Sequence, residues 1–254
     1  MKIEIFQRID SIIENIDKNK IESIFSDEVN LRNNKKVAKD LTENEIIEIF
    51  TMLISYSQNA NSKLVEEIIK SGIFKEIFAN FDINQIVKMN PCDLADKYWA
   101  KIGGIRQQAK LFHIVSLARK IKNIGSFNKL LTKTEIPETI KTQNDIDNFW
   151  IGFKKLKKVM EENKVPFFRS STSLLHFLLE TGYDCVKPDL VVMKVAKKIG
   201  IVENVSGDKN LIKTVRTIQE YSIYKGIRPS VIDLYFLIDG GQLGAVKYVK
   251  KRIL

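Results

Sequence analysis

The chain has 254 residues, 44% of them hydrophobic, enough for one large domain or two small ones around a sizeable core. Its 41 Lys and Arg against 31 Asp and Glu leave a net charge of +10, which favours a polyanion partner, nucleic acid first and a membrane surface second, although a lysine-rich coding bias gives the same balance. Cys92, Cys185, His113 and His176 do not have the spacing of a four-ligand zinc site, nothing else calls for a metal or an organic cofactor, and the lack of a signal peptide or a membrane-spanning apolar run leads us to expect a cytoplasmic, nucleoid-associated protein.

Apolar residues recur at near-helical spacing over residues 2–25, at Ile5, Ile9, Ile12, Ile13, Ile16 and then Ile21 to Phe25. Residues 26–41 are polar and irregular and read as a connector or a basic helical turn. Thr42 with Glu45 three positions on forms a capping box for a helix burying Ile46, Ile49, Phe50, Leu53 and Ile54 and ending near Tyr56. A second helix begins at Ser62 and stops at Ser71-Gly72. Phe74, Ile77, Phe78 and Phe81 pack a short helix and turn, and Asp82 and Asp93 are natural caps for the short helices after them. Gly103-Gly104 permits a sharp turn before a long helix. Ala109, Phe112, Ile114, Val115, Leu117, Ala118 and Ile121 form its expected inner face, and Arg106, Gln107, Lys110, Arg119 and Lys120 its outer one.

Residues 126–163 read as a less regular insert followed by an amphipathic helix. Ile146, Phe149, Trp150, Phe153, Leu156 and Val159 face inward, and Lys154, Lys155, Lys157 and Lys158 face outward, where they either meet phosphates or form a solvated face. The stretch from Lys164 to Gly200 then gives a connector, a buried helix starting near Ser170 or Ser171, a stop at Gly182, and a helix opened by Pro188-Asp189. Helices over Leu211–Tyr224 and Pro229–Asp239 follow, and Ala245–Leu254 is a basic terminal segment. Almost no strand pattern is present, so the chain is all-α.

Ser171 and Asp189 stand eighteen positions apart, with Arg169 and Ser170 immediately before the buried helix. In that order and spacing the stretch resembles the helix-hairpin-helix DNA glycosylase superfamily. Residues 72–124 are similar more specifically to the 3-methyladenine DNA glycosylase I family. The shared features are F-x-x-F-D at Phe78–Asp82, Met89 with Asp93, G-I-R-x-x-x-K-[IL] at Gly104–Leu111, and Ala118-Arg119. Phe50-x-Met52-Leu53 and Gln58-x-Ala60 precede them. The resemblance covers about residues 45–200 of the 1–254 unit, with 1–44 and 201–254 as flanking helices expected to pack together on the core. There are departures. Phe167 and Arg169 stand where the superfamily's hairpin carries glycines. Ser171 stands where bifunctional members place a lysine, Tyr56 where the family has its pocket acid, and Leu64 where it has a stacking tryptophan. The family's zinc-binding segments have no counterpart.

The resemblance implies two packed helical subdomains with a cleft between them. It also implies a monofunctional glycosylase acting on an alkylated, 3-methyladenine-like purine flipped out of duplex DNA, without lyase activity and without an obligate protein partner or a membrane. Asp189 is then the carboxylate beside the sugar, although a helix-start Asp is also a plain N-cap. Tyr56, Trp99 and Gln58 are the candidates for the base pocket, with core packing as the other reading of both aromatics. Arg169, Ser170, Ser171, Lys154 and Lys157 are the candidates for phosphate contacts, with capping as the other reading of the serines. The altered hairpin and missing pocket acid keep a second class open, a non-catalytic helix-hairpin-helix DNA-binding protein.

Overall fold

Helix ends rather than strands organise the backbone, because each α-helix leaves four amide N–H groups and four carbonyls without intrahelical partners. A computed structural model describes residues 2–16, Asn30 and residues 37–241. Residues 17–25 of the stretch 2–25 read as helical, most of the 26–41 connector and the basic segment 245–254 lie outside the described residues.

In chain order the helices are α1 (Lys2–Ile16), α2 (Glu43–Tyr56), α3 (Ser62–Lys70), α4 (Ile73–Ile77), α5 (Ile83–Ile86), α6 (Pro91–Ile102) and α7 (Ala109–Ile124). Then come α8 (Phe127–Thr134), α9 (Gln143–Glu162), α10 (Ser171–Glu180), α11 (Leu190–Lys198), α12 (Asp208–Lys225) and α13 (Pro229–Asp239). Single 3-10 turns lie at Ala38–Asp40, Ala79–Phe81 and Gly103–Ile105. Among the described residues there is no strand.

Local chemistry sets the boundaries. At α2 the Thr42 hydroxyl accepts from Glu45 N at 3.2 Å while Glu45 Oε2 accepts from Thr42 N at 2.7 Å, a complete capping box. Asn61, one residue before Ser62, caps α3, and Asp82 caps α5. Asp93 does not cap α6. Asn90 does, through Cys92 N, because Pro91 fits the first helical position, and Asp93 instead accepts from the Asn90 side-chain amide at 2.9 Å. α10 ends as expected. Gly182 is left-handed at φ 84°, and the Tyr183 amide reaches back to Leu178 O at 3.0 Å. The region read as an irregular insert contains α8, capped by Ser126.

The chain divides into two compact bodies. The central body comprises residues 38–135 and 152–170; the terminal body comprises the described parts of 1–37, 136–151 and 171–254. The long α9 gives its first half to the terminal body and its second half to the central one, and the 45–200 region of resemblance runs through both. In the central body Phe50 packs against Phe127 and Phe168, with centroids 5.3 and 4.5 Å apart, and Phe78, Ile114, Val115 and Leu156 are buried with them. In the terminal body α1 joins the C-terminal helices. Asp10 takes the Tyr221 hydroxyl at 2.6 Å and pairs with Lys225 at 2.8 Å, and Arg8 donates to Ile199 O at 3.0 Å.

One carboxylate holds the α10–α11 loop, residues 181–189. Asp184 is 3% exposed. Its Oδ2 accepts from Ile140 N at 2.9 Å and its Oδ1 from Arg228 Nε at 2.7 Å, while Arg228 Nη2 donates to Gly182 O at 2.9 Å. The Asp184 carbonyl accepts from Gln219, whose amide oxygen takes the Trp150 indole N–H, both at 2.9 Å. Asp184→Ala would leave the buried Ile140 amide unpaired and take the carboxylate from the Arg228 guanidinium, so a loss of about 3 kcal/mol is expected. Urea unfolding of wild type beside Asp184→Ala measures it, and a loss under about 1 kcal/mol would mean that the network does not hold the loop.

Candidate functional site

In the central body, residues 55–60 turn the chain from α2 into α3. Gln58 and Asn59 adopt left-handed φ of 55° and 58°, conformations that non-glycine residues hold only when their surroundings impose them. The surroundings here are the G-I-R-x-x-x-K segment. Gly104 lets the 103–105 turn lie against α3, where a Cβ would meet Ile68 Cδ1 at 2.9 Å and Leu64 Cβ at 3.0 Å. Arg106, itself at φ 78°, donates from Nη1 to Asn59 O at 3.0 Å. Lys110 donates from Nζ to Ser55 O at 2.9 Å and Ser57 O at 2.7 Å. A motif read from spacing alone is therefore a clamp on one turn.

That clamp corrects the reading of α7. Lys110, expected on the outer face, is completely buried, whereas Ala109 and Phe112, expected inside, are exposed. The helix is rotated so that the ammonium reaches the C-terminal end of α2. Carbonyls and the negative end of the helix dipole both favour a cation there. A signal for this was present: Lys110 shares a face with Ile114, Leu117 and Ile121, the apolar stripe of its own helix.

Tyr56 lies between the two clamped carbonyls and is 37% exposed. Gln58 is exposed beside it, as is Leu64 at the start of α3. Trp99, on α6, is half-buried, and a Cβ on Gly103 would come 3.9 Å from its ring. The central body thus gathers Tyr56, Gln58 and Leu64 around one turn and sets Trp99 against the glycine pair that supports it.

The connector from α9 to α10 also lies largely in the central body. Lys164 takes a left-handed φ of 51° at the end of α9, and the Val165 amide bonds back to Met160 O at 2.9 Å. Phe167 is left-handed too, at φ 63°, and the Phe168 amide bonds to Pro166 O at 2.8 Å. The backbone therefore takes the glycine conformation at a position without glycine. The Phe167 ring packs edge-on against His113 with centroids 5.0 Å apart, and burial pushes the His113 imidazole below its ordinary pKa, so it is neutral near pH 7. Arg169 and Ser170 are exposed. Of the outward lysines of α9, Lys155 pairs with Glu135 at 3.1 Å, Lys157 with Glu161 at 3.5 Å and Lys158 with Glu162 at 3.7 Å. Lys154 is exposed. Such surface pairs are weak and salt-labile, so they compete only slightly with phosphate.

In the terminal body, Ser171 opens α10. It is buried, and its hydroxyl donates to Asp208 Oδ2 at 2.9 Å. Asp189 caps α11, with Oδ1 accepting from Val191 N at 2.9 Å and Val192 N at 3.1 Å. Its Oδ2 has Lys187 Nζ at 3.6 Å, and the side chain is 23% exposed. The loop that delivers it is fixed from both sides, by Asp184 and by Asp233, which accepts from Lys187 N at 3.2 Å. Among the described residues no cluster of three or more metal-binding side chains occurs, and no described helix is long and apolar enough to cross a membrane.

Compared with family models, with curated proteins and with solved structures, the chain matches none of them.

Lys110 gives a measurable pH dependence. Burial, reinforced by the Arg106 charge, pushes its pKa from 10.5 down to about 8. The folded state therefore binds fewer protons than the unfolded chain between about pH 8 and 10.5, and this group's contribution to stability rises with pH across that window. The rise is at most about 3 kcal/mol, and the two carbonyl acceptors reduce it. Urea midpoints of wild type beside Lys110→Met at pH 7.5 and pH 9.5 check the sign. The difference between the two proteins should move in favour of wild type at the higher pH.

Proposed function

We propose that this protein is a monofunctional DNA glycosylase that hydrolyses the N-glycosidic bond of an alkylated, 3-methyladenine-like purine flipped from duplex DNA. The observation that carries the proposal is the Asp189 carboxylate. It caps α11 eighteen positions after Ser171, at the end of a loop held by buried polar bonds, and only one of its oxygens is hydrogen-bonded to the helix amides. Support also comes from the connector, where Phe167 adopts the left-handed backbone that a hairpin glycine would supply. The net charge of +10 favours the same partner, duplex DNA. A two-subdomain architecture with the damaged base held in a cleft belongs to this reading.

The chemistry follows from the groups named. Reaching the glycosidic bond requires extruding the nucleotide from the stack. Tyr56 and Trp99 offer faces on which a base can stack, and Gln58 offers an amide for its edge. Loss of the base leaves oxocarbenium character on the sugar, which a carboxylate beside it stabilises while orienting the attacking water. Asp189 has this role. An alkylated purine is a cationic leaving group and departs without a strong general acid, consistent with Tyr56 at the position of the family's pocket acid. With Ser171 in the lysine slot there is no Schiff-base nucleophile at that position, so the reaction ends at the abasic site. Arg169, Ser170, Ser171, Lys154 and Lys157 form the phosphate-contacting set. Ser171 contributes through its backbone, because its hydroxyl is committed to Asp208.

The Lys187 ammonium, 3.6 Å from the Asp189 oxygen that does not cap α11, is the observation favouring the second reading, a DNA-binding protein that retains the helix-hairpin-helix form without catalysis. Base release from methylated duplex DNA separates the two. Asn is as good an N-cap as Asp, so Asp189→Asn keeps the helix start and removes the charge. Wild type should release methylated base, and the variant should be slower by on the order of 100-fold or more. Equal rates would remove Asp189 from the reaction, and salt-sensitive binding without release by either protein would favour the second reading or a different lesion.

A further inference from the structure

We propose that Lys110 is a positioning residue for the base pocket, fixing the 55–60 turn in the conformation that presents Tyr56 and Gln58 and acting through the Ser55 and Ser57 carbonyls without touching DNA. The inference rests on reading that turn as the pocket.

Four observations carry it. First, the ammonium is completely buried, and its hydrogen bonds go to two backbone carbonyls that flank Tyr56, at 2.9 and 2.7 Å. The Ser55 carbonyl belongs to the peptide that enters Tyr56, so a shift of that carbonyl moves the Tyr56 Cα with it. Second, the turn's own bonds before Gln58 both go to Ile54 O, from Ser57 N at 3.1 Å and Ser57 Oγ at 2.6 Å, and leave the stretch after it weakly held. Gln58 and Asn59 are left-handed, and the backbone bond across them, Ala60 N to Ser57 O, is long at 3.3 Å. Third, Arg106 acts on the same turn through Asn59 O, so two cations from one segment hold three carbonyls within five residues. Fourth, stability alone does not call for a lysine. A buried charge is costly to desolvate, and apolar replacements of buried ionic groups are often as stable when the partners are satisfied in another way. What an ammonium adds over an apolar side chain is a fixed direction for each carbonyl.

The same helix contains an internal control. Arg119 donates from Nε to Val87 O at 3.0 Å and from Nη2 to Met89 O at 2.8 Å, holding the turn after α5 in the same manner. None of the candidate pocket residues lies in that turn.

The test uses the full chain as wild type, Lys110→Met and Arg119→Met, with three readouts. These are hydrogen exchange over residues 55–60 and 87–90, single-turnover base release from methylated duplex DNA, and affinity for the same duplex. Lys110→Met should speed exchange at 55–60 and slow base release roughly 10- to 100-fold, the scale of a small misplacement, with duplex affinity kept. Arg119→Met should speed exchange at 87–90 and leave base release at the wild-type rate. Wild-type exchange at 55–60 in Lys110→Met overturns the proposal, and so does faster exchange there with unchanged release. If wild type releases no base, it is the glycosylase reading that fails, and the exchange measurement still decides whether Lys110 fixes the turn. If Lys110→Met does not fold, Lys110→Gln, which keeps a shorter donor, is judged by the same criteria.

Discussion

Unmet carbonyls and amides at helix ends are the constraint on which this structure depends. With no sheet ladder among the described residues to absorb them, they are met by side chains, some local caps and some brought from far along the chain. Lys110 serves the end of α2, Arg119 the turn after α5 and Arg228 the turn after α10. Asp189 serves the start of α11. Each is charged, and a hydrogen bond with one charged partner is about twice as strong as a neutral one. Of the turns so held, the one after α2 contains Tyr56 and Gln58 and the one after α10 leads to Asp189, whereas the turn held by Arg119 contains no candidate residue.

Much of this was legible in the sequence because it is local. A capping box, a left-handed glycine after a helix and an N-cap Asp are each decided within four or five residues, and Thr42, Gly182 and Asp189 behave as their neighbours dictate. Asp93 shows where local reading fails. Two residue types compete to cap α6, and Pro91 settles the competition by fixing which residue lies outside the helix. The helical content of the 126–143 stretch was obscured by its short length and by the polar residues of α8.

Lys110 was misread for a different reason. The usual assumption places lysine outward, and its position on the apolar stripe of α7 was outweighed by residue type. What makes burial acceptable is the pair of carbonyls at the end of α2, fifty-odd residues earlier in the chain. No window of local sequence contains both partners. The same holds for Asp184, whose partners Ile140 and Arg228 lie on either side of it by more than forty positions. Buried charge is thus the part of the candidate site least visible from sequence, and it sets the geometry of the visible part.

Phe167 shows how strain and position are linked. Holding a bulky residue at positive φ costs on the order of 1–3 kcal/mol, and a glycine would avoid that cost. The ring is not idle, because it packs against His113 on α7, the helix that also supplies Lys110. Burial keeps His113 neutral near pH 7, so this contact adds no charge next to the connector. Within the central body a single helix therefore braces both the 55–60 turn and the connector that ends at Arg169 and Ser170. If both segments meet the same nucleotide, as the glycosylase reading requires, their spacing is set by the rigid rise of α7 between residues 110 and 113 rather than by either loop.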